Sequence, residues 1–179
     1  MDDFETERLK LRKFKRKDVN DMFELLSNPK VAEFSDFTVH TSKDDTIMTI
    51  ESAIRDYGSY ESCWAIEDKE KHKVIGYIQI VNTSLKNKQC SLVWALQERY
   101  WGEGYSEEIL KAMFNYLFDK DVFDIIIVKY YSDHAFSNPI LENVGMKKDA
   151  VLRNRRINSI TKNKESLIAY SILKEEFYN

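Results

Sequence analysis

Gly102 and Gly104 stand with one residue between them in Arg99-Tyr100-Trp101-Gly102-Glu103-Gly104, in a chain with only five glycines. Before them lies the apolar run Leu92-Val93-Trp94-Ala95-Leu96, and after them a helix-like stretch begins near Tyr105. Glycine is placed where the backbone must take a positive φ or approach something closely, since a Cβ obstructs both. A strand, a glycine loop and a helix N-terminus in succession aim several backbone N–H groups at one spot, and the helix dipole adds partial positive charge there. A pyrophosphate fits that description. Two familiar phosphate loops are excluded: there is no G-x-x-x-x-G-K-[ST], and the third glycine of the dinucleotide fingerprint is missing, since Gly104 is followed by Tyr105, Ser106 and Glu107. The alternative is a tight turn in which one glycine supplies φ and the other packs the helix.

The rest of the chain constrains what such a loop can belong to. With 179 residues, one domain spanning 1–179 is expected, built on ample apolar and aromatic material. A net charge of −3 argues against general nucleic-acid binding, which relies on neutralising many phosphates. The acidic start Met1-Asp2-Asp3-Phe4-Glu5 is followed by no long apolar stretch, so a cytoplasmic protein without membrane contact is expected. Cys63 and Cys90 are too few for a disulfide framework, and with His40, His72 and His134 they make no metal-ligand spacing, so no metal is expected. No heptad or interface stripe is visible, which leaves a monomer or a homodimer.

Leu9 to Phe14 alternates as a half-buried strand, and Asp18 reads as the N-cap of a helix that Asn28-Pro29 stops. A second helix is expected from about Lys43 to Tyr57, ended by Gly58. Cys63 to Ile66, Val74 to Val81 and Cys90 to Leu96 read as an antiparallel meander. Beyond the loop, Ile109, Met113, Tyr116 and Leu117 mark one helix face, with Glu107 and Glu108 favouring the dipole in its first turn. Ile125 to Val128, apolar without alternation, is expected as a central strand covered on both faces. Ser137 reads as the cap of a short helix with Pro139 in its first turn, and Val151–Arg155 and Leu167–Leu173 as two closing strands. The run Arg153, Arg155, Arg156 reads as a solvated strand edge or as a surface for an acidic or RNA-bearing partner.

Several separated stretches together resemble the GCN5-related N-acetyltransferase (GNAT) superfamily, in particular its ribosomal-protein N-terminal acetyltransferase branch. The opening Thr6-Glu7-Arg8-Leu9-Lys10-Leu11-Arg12 is similar to that branch's T-x-R-L-x-L-R start. Tyr100 to Tyr105 is similar to its Y-W-G-x-G-Y loop, and Ser137 to Met146 to S-x-x-x-L-E-x-x-G-[FM]. Leu152-Arg153 and Tyr170 to Leu173 are similar to its closing strands. The resemblance implies a mixed α/β fold: a central, mostly antiparallel sheet with one splayed parallel strand pair, flanked by helices. It implies acetyl-CoA as cosubstrate, with the pantetheine arm along the backbone of Trp94, Ala95 and Leu96. The pyrophosphate would then meet Trp101, Gly102, Glu103, Gly104, Tyr105 and Ser106, with Arg99 either a phosphate ligand or a solvated surface arginine.

It also marks departures. His134 stands where the superfamily commonly has a pantetheine-binding asparagine, and Leu141 where many members have a tyrosine acid. Ser137 is then the nearest hydroxyl to the expected thiolate. The usual glutamate base is matched by Ser91, which leaves Glu33, His134 and an ordered water as candidates. The implied activity is transfer of acetyl to an amine acceptor by direct attack in a ternary complex, the acceptor being an α-amine on a protein N-terminus or an amino-acid-like molecule. The alternatives are a polyamine or antibiotic acceptor, or a CoA-binding sensor without catalysis.

Overall fold

The computed structural model describes residues 2–35, 37–131, 137–158 and 160–179, with Ser137 described by its backbone alone. The alternating N-terminal stretch forms a short antiparallel pair, β1 (Phe4–Glu5) and β2 (Leu9–Arg12), with Phe4 opposite Leu11. The chain then enters a 3-10 turn at Arg16–Asp18 that runs directly into α1 (Val19–Leu26). Asp18 stands at the N-cap of α1, as the sequence suggests, but its side chain makes no capping bond there. Its carboxylate instead accepts two bonds from the Arg12 guanidinium, at 2.8 and 2.9 Å, and one from the Lys15 N–H at 2.8 Å. Arg12 and Asp18 are each only 3% exposed, and Arg12 Nε donates to Glu67 at 2.6 Å. A buried guanidinium without its carboxylate is costly, so the pair outcompetes the cap.

Asn28 ends one helix and starts another. Its side chain accepts from the Lys30 N–H at 2.9 Å and opens α2 (Pro29–Phe34), a helix the sequence reading missed. Ser42 and Asp45 form a capping box at the head of α3 (Lys43–Asp56), and Gly58, with φ +96°, turns the chain beyond it. The antiparallel meander follows as β3 (Cys63–Asp68), β4 (Lys73–Ser84) and β5 (Gln89–Leu96). β3 pairs with β2 through Leu11 opposite Ile66 and with β4 through Trp64 opposite Ile78.

The chain forms two compact units, residues 1–80 with 94–103, and 81–93 with 104–179. The core of the first gathers Phe14, Met22, Leu25 and Leu26 with Val31, Ile50, Cys63, Ala65, Val74 and Ala95. The buried Trp64 indole donates to the Asp2 carbonyl at 3.1 Å and meets Phe4 and Tyr57 edge-on.

In the second unit, α4 (Tyr105–Asp119) buries Ile109, Leu110, Met113, Phe114, Leu117 and Phe118. This helix is the crossover that a parallel neighbour requires. β6 (Ile125–Tyr131) pairs in parallel with β5, from Gln89 opposite Ile125 to Leu92 opposite Val128. Then come α5 (Ser137–Asn143), β7 (Lys147–Ile157), β8 (Lys164–Leu173) and α6 (Lys174–Phe177). β8 lies antiparallel to both β6 and β7. Among the described residues the fold is thus mixed α/β, eight strands in the order β1-β2-β3-β4-β5-β6-β8-β7, with one parallel pair and flanking helices.

β6 departs from the expected burial on both faces. Ile126, Val128 and Tyr130 are buried, whereas Ile125, Ile127 and Tyr131 are half-buried and Lys129 is exposed. Arg153 and Arg155 lie exposed on β7 as expected. Arg156 does not: it pairs with the fully buried Glu165 and stacks 3.7 Å from the Tyr131 ring centroid. Among the described residues no helix is long and apolar enough to cross a membrane.

Candidate active site

The C-terminal end of β5 is shaped by a glycine on its neighbour. A Cβ built on Gly76 of β4 would lie 2.2 Å from the Ala95 carbonyl oxygen, 2.7 Å from Leu96 Cδ2 and 3.1 Å from Leu96 Cα. Only glycine lets β5 cross so close. The approach turns the Ala95 carbonyl toward β4, and the Gln97 N–H bonds Ile75 O on that same strand at 2.9 Å. Gln97 is buried, and its Nε2 donates to the Asp21 carbonyl at 2.9 Å, which ties the end of β5 to α1. An isolated glycine within a strand pattern signals this kind of close approach, so Gly76 was legible in principle; Gln97 carried no comparable signal.

After a short 3-10 turn at Glu98–Tyr100, the Trp101 indole Nε1 donates back to the Leu96 carbonyl at 2.9 Å. Of the Trp94, Ala95 and Leu96 strip, Ala95 and Leu96 are buried and Trp94 is half-buried. The Ala95 carbonyl lies close against Gly76 of β4, and the Leu96 carbonyl is bonded to Trp101.

The loop has the backbone that its glycines foretold. Gly102 takes φ +77° with nothing within 4 Å of where a Cβ would stand, and Gly104 takes φ +76°, ψ 4° as the N-cap of α4. That left-handed conformation is one that glycine adopts without steric cost and other residues rarely do. Arg8 Nη1 holds the Glu103 carbonyl at 3.0 Å, and the Glu108 N–H bonds Gly104 O at 3.2 Å. Trp101, Gly102 and Glu103 are exposed, and Gly104, Tyr105 and Ser106 half-buried. Both glycines are thus left-handed, and the 15-residue α4 follows them in the chain.

The side chains proposed from sequence fare differently. The guanidinium of Arg99 pairs with Glu24, Nη1 to Oε1 at 2.8 Å and Nη2 to Oε2 at 3.1 Å, and also donates to Gln97 Oε1. Glu33 is half-buried on α2. Ser91 is buried on β5, Leu141 fully so on α5. The backbone of Ser137 opens α5, and His134 lies outside the described residues. Both thiols are buried, which pushes Cys63 and Cys90 each up to about 12 and leaves neither as a thiolate near neutral pH. Among the described residues no group of three or more His, Cys, Asp or Glu could hold a metal ion.

The family model for the acetyltransferase (GNAT) domain matches residues 8–147. In sequence the chain is similar to the uncharacterised N-acetyltransferase YoaA of Bacillus subtilis (strain 168), at 25% identity over 150 residues, covering 83% of this chain and 85% of that one. In structure it is similar to a GNAT-family acetyltransferase from Bacillus anthracis, with TM-score 0.83 and 21% identity over 97% of this chain and 99% of that one. It is also similar to the spermidine N-acetyltransferase of Vibrio cholerae, crystallised with CoA and spermine, with TM-score 0.83 and 16% identity over 97% and 100% of the two chains. At these identities the structural likenesses speak for the fold.

Proposed function

This chain belongs to the acetyltransferase (GNAT) family, an enzyme family with acetyl-CoA as cosubstrate, and on that premise we propose that residues 1–179 act as one domain that transfers acetyl to an α-amine. The acceptor is a protein N-terminus or an amino-acid-like molecule, and the amine attacks the thioester directly in a ternary complex. The observation that carries the cofactor half of this reading is the left-handed pair Gly102 and Gly104 at the head of α4. In this reading the backbone of residues 101–106 receives the pyrophosphate, since helix N-termini bind anions through N–H groups and dipole.

The Trp94 and Leu96 backbone orients the pantetheine, with Ala95 turned to β4. The Leu96 N–H is assigned to the developing oxyanion, an interaction of a type whose removal costs about 3–4 kcal/mol elsewhere. The Arg99 guanidinium is already paired with Glu24, so its contribution is secondary to the loop. His134 is assigned the proton transfers near neutral pH, with Ser137 and Glu33 as the other candidates. Cys63 and Cys90 take no part, because both are held as buried neutral thiols.

The preference for an α-amine follows from proton chemistry. An α-amine with pKa about 7.7–8.0 is roughly a tenth or more neutral at physiological pH, against about a thousandth for a lysine amine near 10.4. Without a strong base that difference goes directly into the rate. The second reading is a polyamine acceptor, favoured by the likeness to the spermidine enzyme. The test compares kcat/KM for a peptide with a free N-terminus, the same peptide blocked but carrying lysine, and spermidine, over pH 6–9. The free N-terminus should be the best acceptor at pH 7; spermidine or the blocked peptide leading there overturns the α-amine reading.

A further inference from the structure

The two loop glycines cannot set their own conformation. Glycine has more backbone freedom to lose than any other residue, and nothing packs within 4 Å of the Cβ position at Gly102. Between them the Glu103 carbonyl is held by Arg8 Nη1 at 3.0 Å, and the other restraints act on the flanks. On the C-terminal flank the first turn of α4 does so, through the Glu108 N–H to Gly104 O.

On the N-terminal flank the anchor is Trp101. Its indole N–H closes back onto Leu96 O, and its ring, still 36% exposed, meets Phe34 of α2 edge-on at 5.8 Å and 67°. Lys30 of α2 holds its ammonium 5.9 Å from the same ring and pairs with Glu98, and Asn28 Nδ2 reaches Glu98 at 3.5 Å. Residues 98 and 101 are thus fastened to one short helix from two of its positions and from its N-cap. All of these groups belong to the first compact unit.

We propose that Trp101 is a positioning residue for acetyl-CoA, and that through it helix α2 sets the shape of the phosphate loop, so that cofactor affinity depends on side chains of α2 that do not form the loop. This rests on the cofactor reading above. A preorganised loop loses less conformational freedom on binding, and a loosened one loses more, so the effect appears in affinity for acetyl-CoA.

The test is calorimetric titration of the full chain with acetyl-CoA, alongside far-UV circular dichroism and urea unfolding to confirm folding. Trp101→Phe keeps the ring against Phe34 and removes the donor, and should raise Kd roughly three- to tenfold, the scale of one hydrogen bond. Trp101→Leu removes both contacts and should raise it further. Phe34→Leu should raise Kd about threefold, and added to Trp101→Leu it should have no further effect, since the partner ring is already gone. Ile50→Val, which loosens the same core, should leave Kd unaltered. A folded Phe34→Leu with wild-type Kd, or full additivity in the double variant, overturns the inference alone. Failure of the wild-type chain to bind acetyl-CoA overturns it together with the reading it rests on.

Discussion

Replacing Gly76 with alanine puts the shape of β5 to a direct test. The added Cβ would stand 2.2 Å from Ala95 O, against about 3.3 Å for an ordinary C···O contact, so the two strands must part by roughly 1 Å. The clash is between backbone atoms, and no rotamer change relieves it. Overpacking of this kind costs about 1–3 kcal/mol and occasionally more, and the lost entropy advantage of glycine offsets about 0.5–1 kcal/mol of that. A net loss of about 1 kcal/mol is expected, which for a chain of this size lowers Tm by about 2–4 °C. A misplacement of about 1 Å at a reacting centre also costs on the order of a hundredfold in kcat/KM. Both quantities are read on one preparation, by thermal unfolding and by the initial rate of thiol release from acetyl-CoA with a saturating acceptor. Gly58→Ala is the control: it has no neighbour within 4 Å but a φ of +96°, so it should lose stability and keep its kcat/KM. Wild-type Tm and activity in folded Gly76→Ala would refute the claim that the close approach shapes the site.

Gly104→Glu should abolish acetyl-CoA binding in calorimetry while the chain stays folded, because φ +76° and close backbone access are both lost; unchanged affinity would reduce the loop to a turn. The folded pKa of each thiol lies above its unfolded value, so the stability from Cys63 and Cys90 is present below about pH 8.5–9 and is lost as pH rises toward 12, at about 1.4 kcal/mol per pH unit for each group. Changing both to alanine should flatten that alkaline decline in urea midpoints, keep turnover, and leave no acetylated protein in mass spectra. Arg12→Ala should destabilise the chain by about 3–5 kcal/mol by stranding Asp18, and the paired change to Arg12→Met with Asp18→Leu should recover most of it; equal losses in the two variants would refute the assignment.

Much of the architecture was legible because it is encoded over short distances. The apolar spacing of Ile109, Met113 and Leu117 is a helical property of neighbouring residues, and α4 indeed starts at Tyr105 and buries that stripe. Gly102 and Gly104 announced left-handed backbone in the same way, since a missing Cβ is a local fact. The motifs from Thr6 to Leu173 were equally a matter of sequence, and the family match over residues 8–147 agrees with the superfamily they resemble.

What the sequence could not state was how charges and faces pair across distance. Asp18 has the residue type of a cap, yet its carboxylate is taken by Arg12 in the strand before it. Arg99 was read as a phosphate ligand, and its guanidinium found Glu24, 75 residues earlier. Ile125 to Val128 looked covered on both faces, but exposure of Lys129 and half-burial of Ile127 depend on what lies over each face. By itself, then, the sequence determined most of the elements, the glycine backbone of the loop and the family, because periodicity and φ preference reside within a few neighbouring residues. The crossing of β5 over Gly76 and the latch of Trp101 on Leu96 were decided only in the tertiary structure, because hydrogen bonds, ion pairs and steric contacts are settled by whichever partner the folded chain brings within about 3 Å.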